Sequence, residues 1–165
     1  MDKNFEKTIL RLLCILGMGA LFNLIRKPPM KDWIIVFLLK SYIASILDVL
    51  TVKKEYVKYP VNLFKIFDIS LIFSYLLFPL TCVYFNQITD KSRIPDILLK
   101  TLCFSFPMAM AENWLEKNTK LIRYQKSWDW RHSFLSMAST FLLVRSLMYI
   151  IKKREKGTVF INEET

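Results

Sequence analysis

Five apolar blocks of 17 to 21 residues divide this chain, and most of its charged residues fall between them. A bilayer core asks for about 20 apolar residues per helix, with roughly 17–25 tolerated. The blocks cover residues 9–25, 33–52, 66–86, 95–113 and 133–151. Soluble cores rarely repeat helices of that length five times in so short a chain. None of the blocks alternates strictly as barrel strands do. The pattern therefore predicts an all-α fold, a polytopic membrane helical bundle with five transmembrane helices. One domain spans residues 1–165, because no Gly/Ser/Pro-rich linker interrupts it. A basic tail, 152–165, follows the last block.

Composition alone decides little, since 53% apolar residues is only slightly above soluble proteins. The 24 basic residues exceed the 14 acidic ones by ten. In a soluble domain that excess would point to nucleic acid. Here the basic residues flank apolar blocks, where they meet headgroups. Membrane lipids are thus the expected partner, and nucleic acid is not. With the N-terminus inside, eleven basic residues lie on the inner side and nine on the outer, a small margin favouring N-in and C-out in the cell membrane.

Lys3 and Lys7 before the first block, with Arg11 near its start, also suit a secretory signal. No small-x-small cleavage site follows, so the block reads as a span. Cys14, Cys82 and Cys103 all sit in apolar blocks and read as small buried hydrophobes, with no metal or redox spacing. Pro79 and Pro107 fall inside blocks, free a backbone carbonyl each and are expected to bend their helices. Residues 114–132 read equally well as an anchored loop or as an interfacial helix before the last span. Trp114, Tyr124, Trp128 and Trp130 are its interfacial anchors.

Charges at membrane depth cost at least about 2.5–3.5 kcal/mol each at the bilayer centre. On the second block Lys40, Ser41, Ser45, Asp48 and Thr51 share an arc of roughly 140°. That polar intramembrane face should meet other helices or a water-filled cavity. Following the alternating helix directions, Asp48, Asp68 and Glu112 form a carboxylate level toward the side holding the N-terminus. Arg11, Lys100 and Arg145 are the candidate counter-ions, with Arg11 on the carboxylate side.

No HExxH helix, GxSxG elbow or glycine-rich phosphate loop occurs. No catalytic set, metal site or cofactor is expected. Glu112 and Glu116, one helical turn apart, could suit a metal, but Glu116 reads more simply as a solvated headgroup-layer residue. His132 beside Trp130 and Arg131 reads as an interfacial histidine.

Asp48, Tyr59-Pro60, Phe67-Asp68, Phe78-Pro79 and Val83-Tyr84-Phe85-Asn86-Gln87 recur in an order that continues with Glu112, Leu115-Glu116-Lys117, Thr119-Lys120-Leu121-Ile122, Tyr124 and Trp128. Over residues 45–135 this order resembles a family of small multi-spanning membrane proteins of spore-forming Firmicutes. The resemblance implies a bacterial plasma membrane and a helical bundle, and no particular activity. Asn62 stands where that pattern leads us to expect an arginine after Tyr-Pro. Three functions follow. A non-enzymatic subunit of a membrane assembly, with a protein partner or as a homo-oligomer, is preferred for want of a catalytic set. A small channel or transporter lined by the Lys40–Asp48 stripe comes next. A lipid-acting enzyme using Glu112 and His132 comes last.

Overall fold

The computed structural model describes residues 3–61 and 70–163, with side chains described over 6–24, 26–61 and 70–155. Helix α1 (Lys3–Ile25) leads through Pro28-Pro29, which cannot sit inside a helix, into α2 (Met30–Lys53). A short strand, β1 (Val57–Lys58), follows. The third helix starts as a π-helical turn, Phe73–Leu77, and continues as α3 (Phe78–Thr89). Then come α4 (Ile94–Asn118), β2 (Arg123–Tyr124) and the long α5 (Trp130–Glu163).

Helix α2 is the centre of the bundle, packed along α3 and also against α1, the π turn and α5, while α4 packs chiefly on α5. One apolar cluster joins Trp33, Val36, Cys82, Val83, Phe85, Phe141, Val144 and Met148. A second, nearer the start of α1, joins Leu10, Val57, Val61, Ile72, Phe73, Leu121 and Ile122. Outward faces are as apolar as the core. Leu12, Ile15, Leu16 and Phe22 of α1, and Leu98, Leu102, Phe106 and Trp114 of α4, are exposed. Ser74, Asn86, Thr89, Thr101 and Ser105 are buried instead. Apolar outside and polar inside is the arrangement that lipid favours. Four helical segments are long and apolar enough to cross a membrane: Glu6–Leu24, Met30–Lys53, Ile94–Asn118 and Trp130–Glu155. The chain is a multi-pass, all-helical membrane protein.

The third expected block, 66–86, lies partly outside the described residues, and its described part carries the π turn. Pro79 explains the place of that irregularity, since its nitrogen cannot donate to the carbonyl of Tyr75 one turn back. The π turn also meets α1. A Cβ on Gly17 would stand 2.7 Å from Cδ2 of Leu76, so only glycine lets the two helices meet without moving that side chain. Pro107, by contrast, sits on the exposed face of an unbroken α4.

The interfacial helix is corrected to a cap. Residues 114–118 finish α4, and 119–129 form an irregular connection whose strand β2 pairs antiparallel with β1, Val57 opposite Tyr124. Leu121 and Ile122 are 1% exposed. Burial in the second cluster, rather than contact with headgroups, is what gave this stretch its amphipathic pattern. Glu55 (φ 58°) and Lys126 (φ 56°) are both left-handed and flank the ribbon, with Lys126 Nζ 3.5 Å from Glu55. Cys103 also departs from expectation, because it is exposed on α4 among outward apolar side chains.

Candidate functional site

Between the two apolar clusters the bundle holds a cavity of about 70 Å3. Its polar lining is Lys40, Asp48 and Thr51 of α2, Tyr59, Glu112 of α4, and Ser133, Ser136 and Thr140 of α5. The ends of α2 and α4 and the start of α5 supply most of this wall. The cavity therefore belongs to the end of the bundle where α1 begins.

Each carboxylate there is held by neutral hydroxyls. Tyr59 donates its hydroxyl to Asp48 Oδ1 at 2.7 Å, and Ser74 of the π turn donates to Asp48 Oδ2. Glu112 has Ser133 and Tyr124 as its hydrogen-bonding neighbours. Ser133 also lies 3.2 Å from the Tyr124 hydroxyl and accepts from Trp128 Nε1 at 3.1 Å. Burial, then the charges of Asp48 and Glu112, pushes the Tyr59 phenol well above its ordinary range. Burial and Glu112 push Tyr124 up likewise. Both phenols therefore remain donors at any physiological pH.

Lys40 marks the inner limit. It is 3% exposed, donates to Thr140 Oγ1 and places its ammonium 4.8 Å from the Phe141 ring centre. Among the described residues no carboxylate lies within ion-pair distance of it, nor any basic group within that distance of Asp48 or Glu112. One turn further along α2, Val36 already belongs to the first apolar cluster.

The opposite end is organised differently. Lys152 stands 3.1 Å from Asp32 and 2.7 Å from Asp90, above the Trp33 ring. Arg145 donates to the carbonyls of Thr89 and Asp90 at 2.8 and 3.0 Å, and Lys100 donates to that of Ile88 at 3.0 Å and to Ser92 at 2.7 Å. Cations thus close the C-terminal end of α3, whose last carbonyls have no helical partner.

The polar face read from the sequence divides. Lys40, Asp48 and Thr51 line the cavity, whereas Ser41 and Ser45 donate to carbonyls of their own helix, those of Phe37 and Tyr42. The carboxylate level brings Asp48 and Glu112 to one cavity, and Asp68 lies outside the described residues. Of the expected counter-ions, Arg145 alone pairs with a carboxylate among the described residues, 3.6 Å from Asp90 and at the other end of the bundle. Lys100 and Arg145 serve the far end of α3, and Arg11 is exposed on α1. Lys100 reaches the Ser92 hydroxyl and the Ile88 carbonyl, and Arg145 the carbonyls of Thr89 and Asp90, acceptors that the helix pattern does not display. Of the four anchors, only Trp114 is well exposed. Tyr124 and Trp128 turn toward Ser133, and Trp130 meets Phe106 edge-on at 6.3 Å.

His132 faces Asp129 at 2.8 Å and stacks on Trp128. Asp129 also accepts from the backbone N–H groups of Arg131 and His132, capping α5. The His132 hydrogen bond holds the Asp129 carboxyl below its usual range. Sequence reasoning missed Tyr59, Ser74 and Thr140 as site residues. It also missed Glu6, which is fully buried and accepts from the Lys120 backbone N–H at 2.8 Å. A glutamate one turn before the first apolar block was the available signal.

The fold and cavity define a polytopic helical membrane protein with a polar site sunk into one end. Comparison of the chain with protein-family models, curated proteins and solved structures returns no match.

Proposed function

We propose that the protein is a five-span bundle of the bacterial plasma membrane that binds and carries a small solute through the cavity at Lys40, Asp48 and Glu112. One observation carries this reading: the buried ammonium of Lys40 and the half-buried carboxyls of Asp48 and Glu112 line a single cavity with no ion pair between them. Charges at membrane depth are expensive and mark solute paths or relays. The fifth crossing is supported by connectivity. Helices α2 and α4 both end at the cavity, while α4 begins beside the end of α3, where Lys100 reaches Ile88. A further crossing between α2 and α4 accords with those two positions. An N-in orientation would place the cavity end, with exposed Lys53, Lys54, Lys58, Lys117, Lys120, Arg123, Lys126 and Arg131, at the anionic inner leaflet.

Service as a subunit of a membrane assembly, preferred on the sequence alone, leaves this cavity without a role. The lipid-enzyme reading loses support because His132 is exposed and does not line the cavity that holds Glu112. The test is uptake into liposomes of a series of small solutes, wild type against Asp48→Asn. The wild type should take up solute and the variant should not, with unchanged thermal unfolding. Equal uptake by both proteins would overturn the reading.

A further inference from the structure

Most donors in the cavity wall are already engaged, whereas its acceptors are not. Tyr59 donates its hydroxyl to Asp48 at 2.7 Å, and Thr51 donates to the Asp48 backbone carbonyl at 2.9 Å. Thr140 donates to the Met137 carbonyl at 3.0 Å, and the Trp128 indole N–H goes to Ser133. A hydroxyl that gives its proton to one partner still keeps lone pairs on its oxygen. The carboxylates add to this surplus. Each offers about four acceptor sites, and on Asp48 the Tyr59 and Ser74 hydroxyls take one on each oxygen. The wall is therefore rich in unanswered oxygen lone pairs, and Lys40 is the one basic group among its described residues.

Charge and size narrow what can answer those lone pairs. With Asp48 and Glu112 ionised, two negative charges share the cavity with the single positive charge of Lys40. Lys40 is 3% exposed and forms no ion pair with either carboxylate, so the site as a whole stays one charge from neutral. An unbalanced charge held away from water is costly. One monovalent cation supplies the balance, and a divalent ion would overshoot it. The space is of ionic size too. At about 30 Å3 per water in the liquid, a cavity of about 70 Å3 equals roughly two waters, enough for one alkali cation with a water beside it. Hard cations take oxygen ligands such as these. No cysteine or histidine is among the described lining residues, so softer metals lack the ligands they favour.

We propose that the cavity binds a single alkali cation, sodium or potassium, at the carboxylates of Asp48 and Glu112, with hydroxyl oxygens as further ligands and Lys40 closing the inner end. This deepens the carrier reading by naming its solute, and rests on it. The test is thermal unfolding of the full-length protein in mild detergent, in choline, sodium or potassium chloride at equal ionic strength. Sodium or potassium should raise the midpoint by about 3 °C or more over choline, and the larger response names the ion. Asp48→Asn and Glu112→Gln should each raise the ion concentration needed for half that shift at least about tenfold. Lys40→Met removes the balancing positive charge and should extend the response to calcium. Should Lys40→Met fail to fold, the two carboxylate variants decide. A sodium or potassium response that survives Asp48→Asn would overturn the site. Equal midpoints in all three salts, with Asp48-dependent uptake of another solute by liposomes, would overturn the cation and leave the carrier; without such uptake both fall. A response lost in the carboxylate variants, without cation flux in liposomes, would uphold the site and overturn the carrier.

Discussion

At one end of the bundle Lys152 lies within 3.1 Å of two carboxylates, and Arg145 and Lys100 close the carbonyls of α3. At the other end Lys40 meets a threonine hydroxyl and an aromatic ring, while tyrosine and serine hydroxyls hold Asp48. The residue types are alike, and the difference is who partners whom. Charges that satisfy one another fasten helices together. Charges satisfied by neutral groups keep most of their field, and a solute can answer it. The first end is therefore a clasp and the second a receptor.

The comparison breaks most visibly at the apolar floor beneath the cavity. Phe85 is fully buried and stacks on Phe141 at 5.2 Å. Phe85→Ala should lower stability by about 3–5 kcal/mol, read from thermal or denaturant unfolding in detergent. At the clasp a smaller loss is expected, because Asp90 is about a third exposed. Burial pushes its carboxyl up, but the hydrogen bond and charge of Lys152, with Arg145, outweigh this and hold it below the usual range. A depressed folded-state value means that its stabilisation is complete above the unfolded value near 3.9. It is lost as pH falls through the folded value. Asp90→Asn should cost about 1 kcal/mol at pH 7 and almost nothing near pH 2, and unfolding midpoints at both pH values check it.

At the receptor end the same acid-to-amide change should behave otherwise. Asp48→Asn retains an acceptor for Tyr59 or Ser74, so stability should move by less than about 1 kcal/mol while uptake is lost. A large loss of stability there would make Asp48 another clasp. The smallest effect lies in the ribbon that caps this end. Glu55 is held left-handed at φ 58°, which costs a side chain roughly 1–2 kcal/mol. Glu55→Gly removes that strain and gives up one exposed ion pair, for a net gain of up to about 1 kcal/mol in the unfolding free energy.

Much of the architecture was legible because span length and charge placement are local properties of the chain. The grouping of Asp48 with Glu112 was legible too, since helix direction alternates whatever the packing. The partners were not. Lys152 with Asp32, Lys40 with Thr140 and Tyr59 with Asp48 are meetings between separate segments, decided by how helices rotate about their axes. Residues 119–129 misled for a related reason. An apolar face such as that of Leu121 and Ile122 records burial without saying whether lipid or protein does the burying. Ser74 was hidden in another way, because a π turn departs from the 100° step on which helix faces are read.

That π turn holds one residue more than an α-helix of the same rise would need. Taking the extra residue back into α geometry would swing the preceding side chains by roughly 100° and slide them about 1.5 Å. Ser74 would leave Asp48, and Leu76 would leave the notch at Gly17 in the same movement. The third helix thus works like a ratchet pawl with one spare tooth. The hydrogen bond to a single aspartate and the seam between that helix and α1 rest on the same turn.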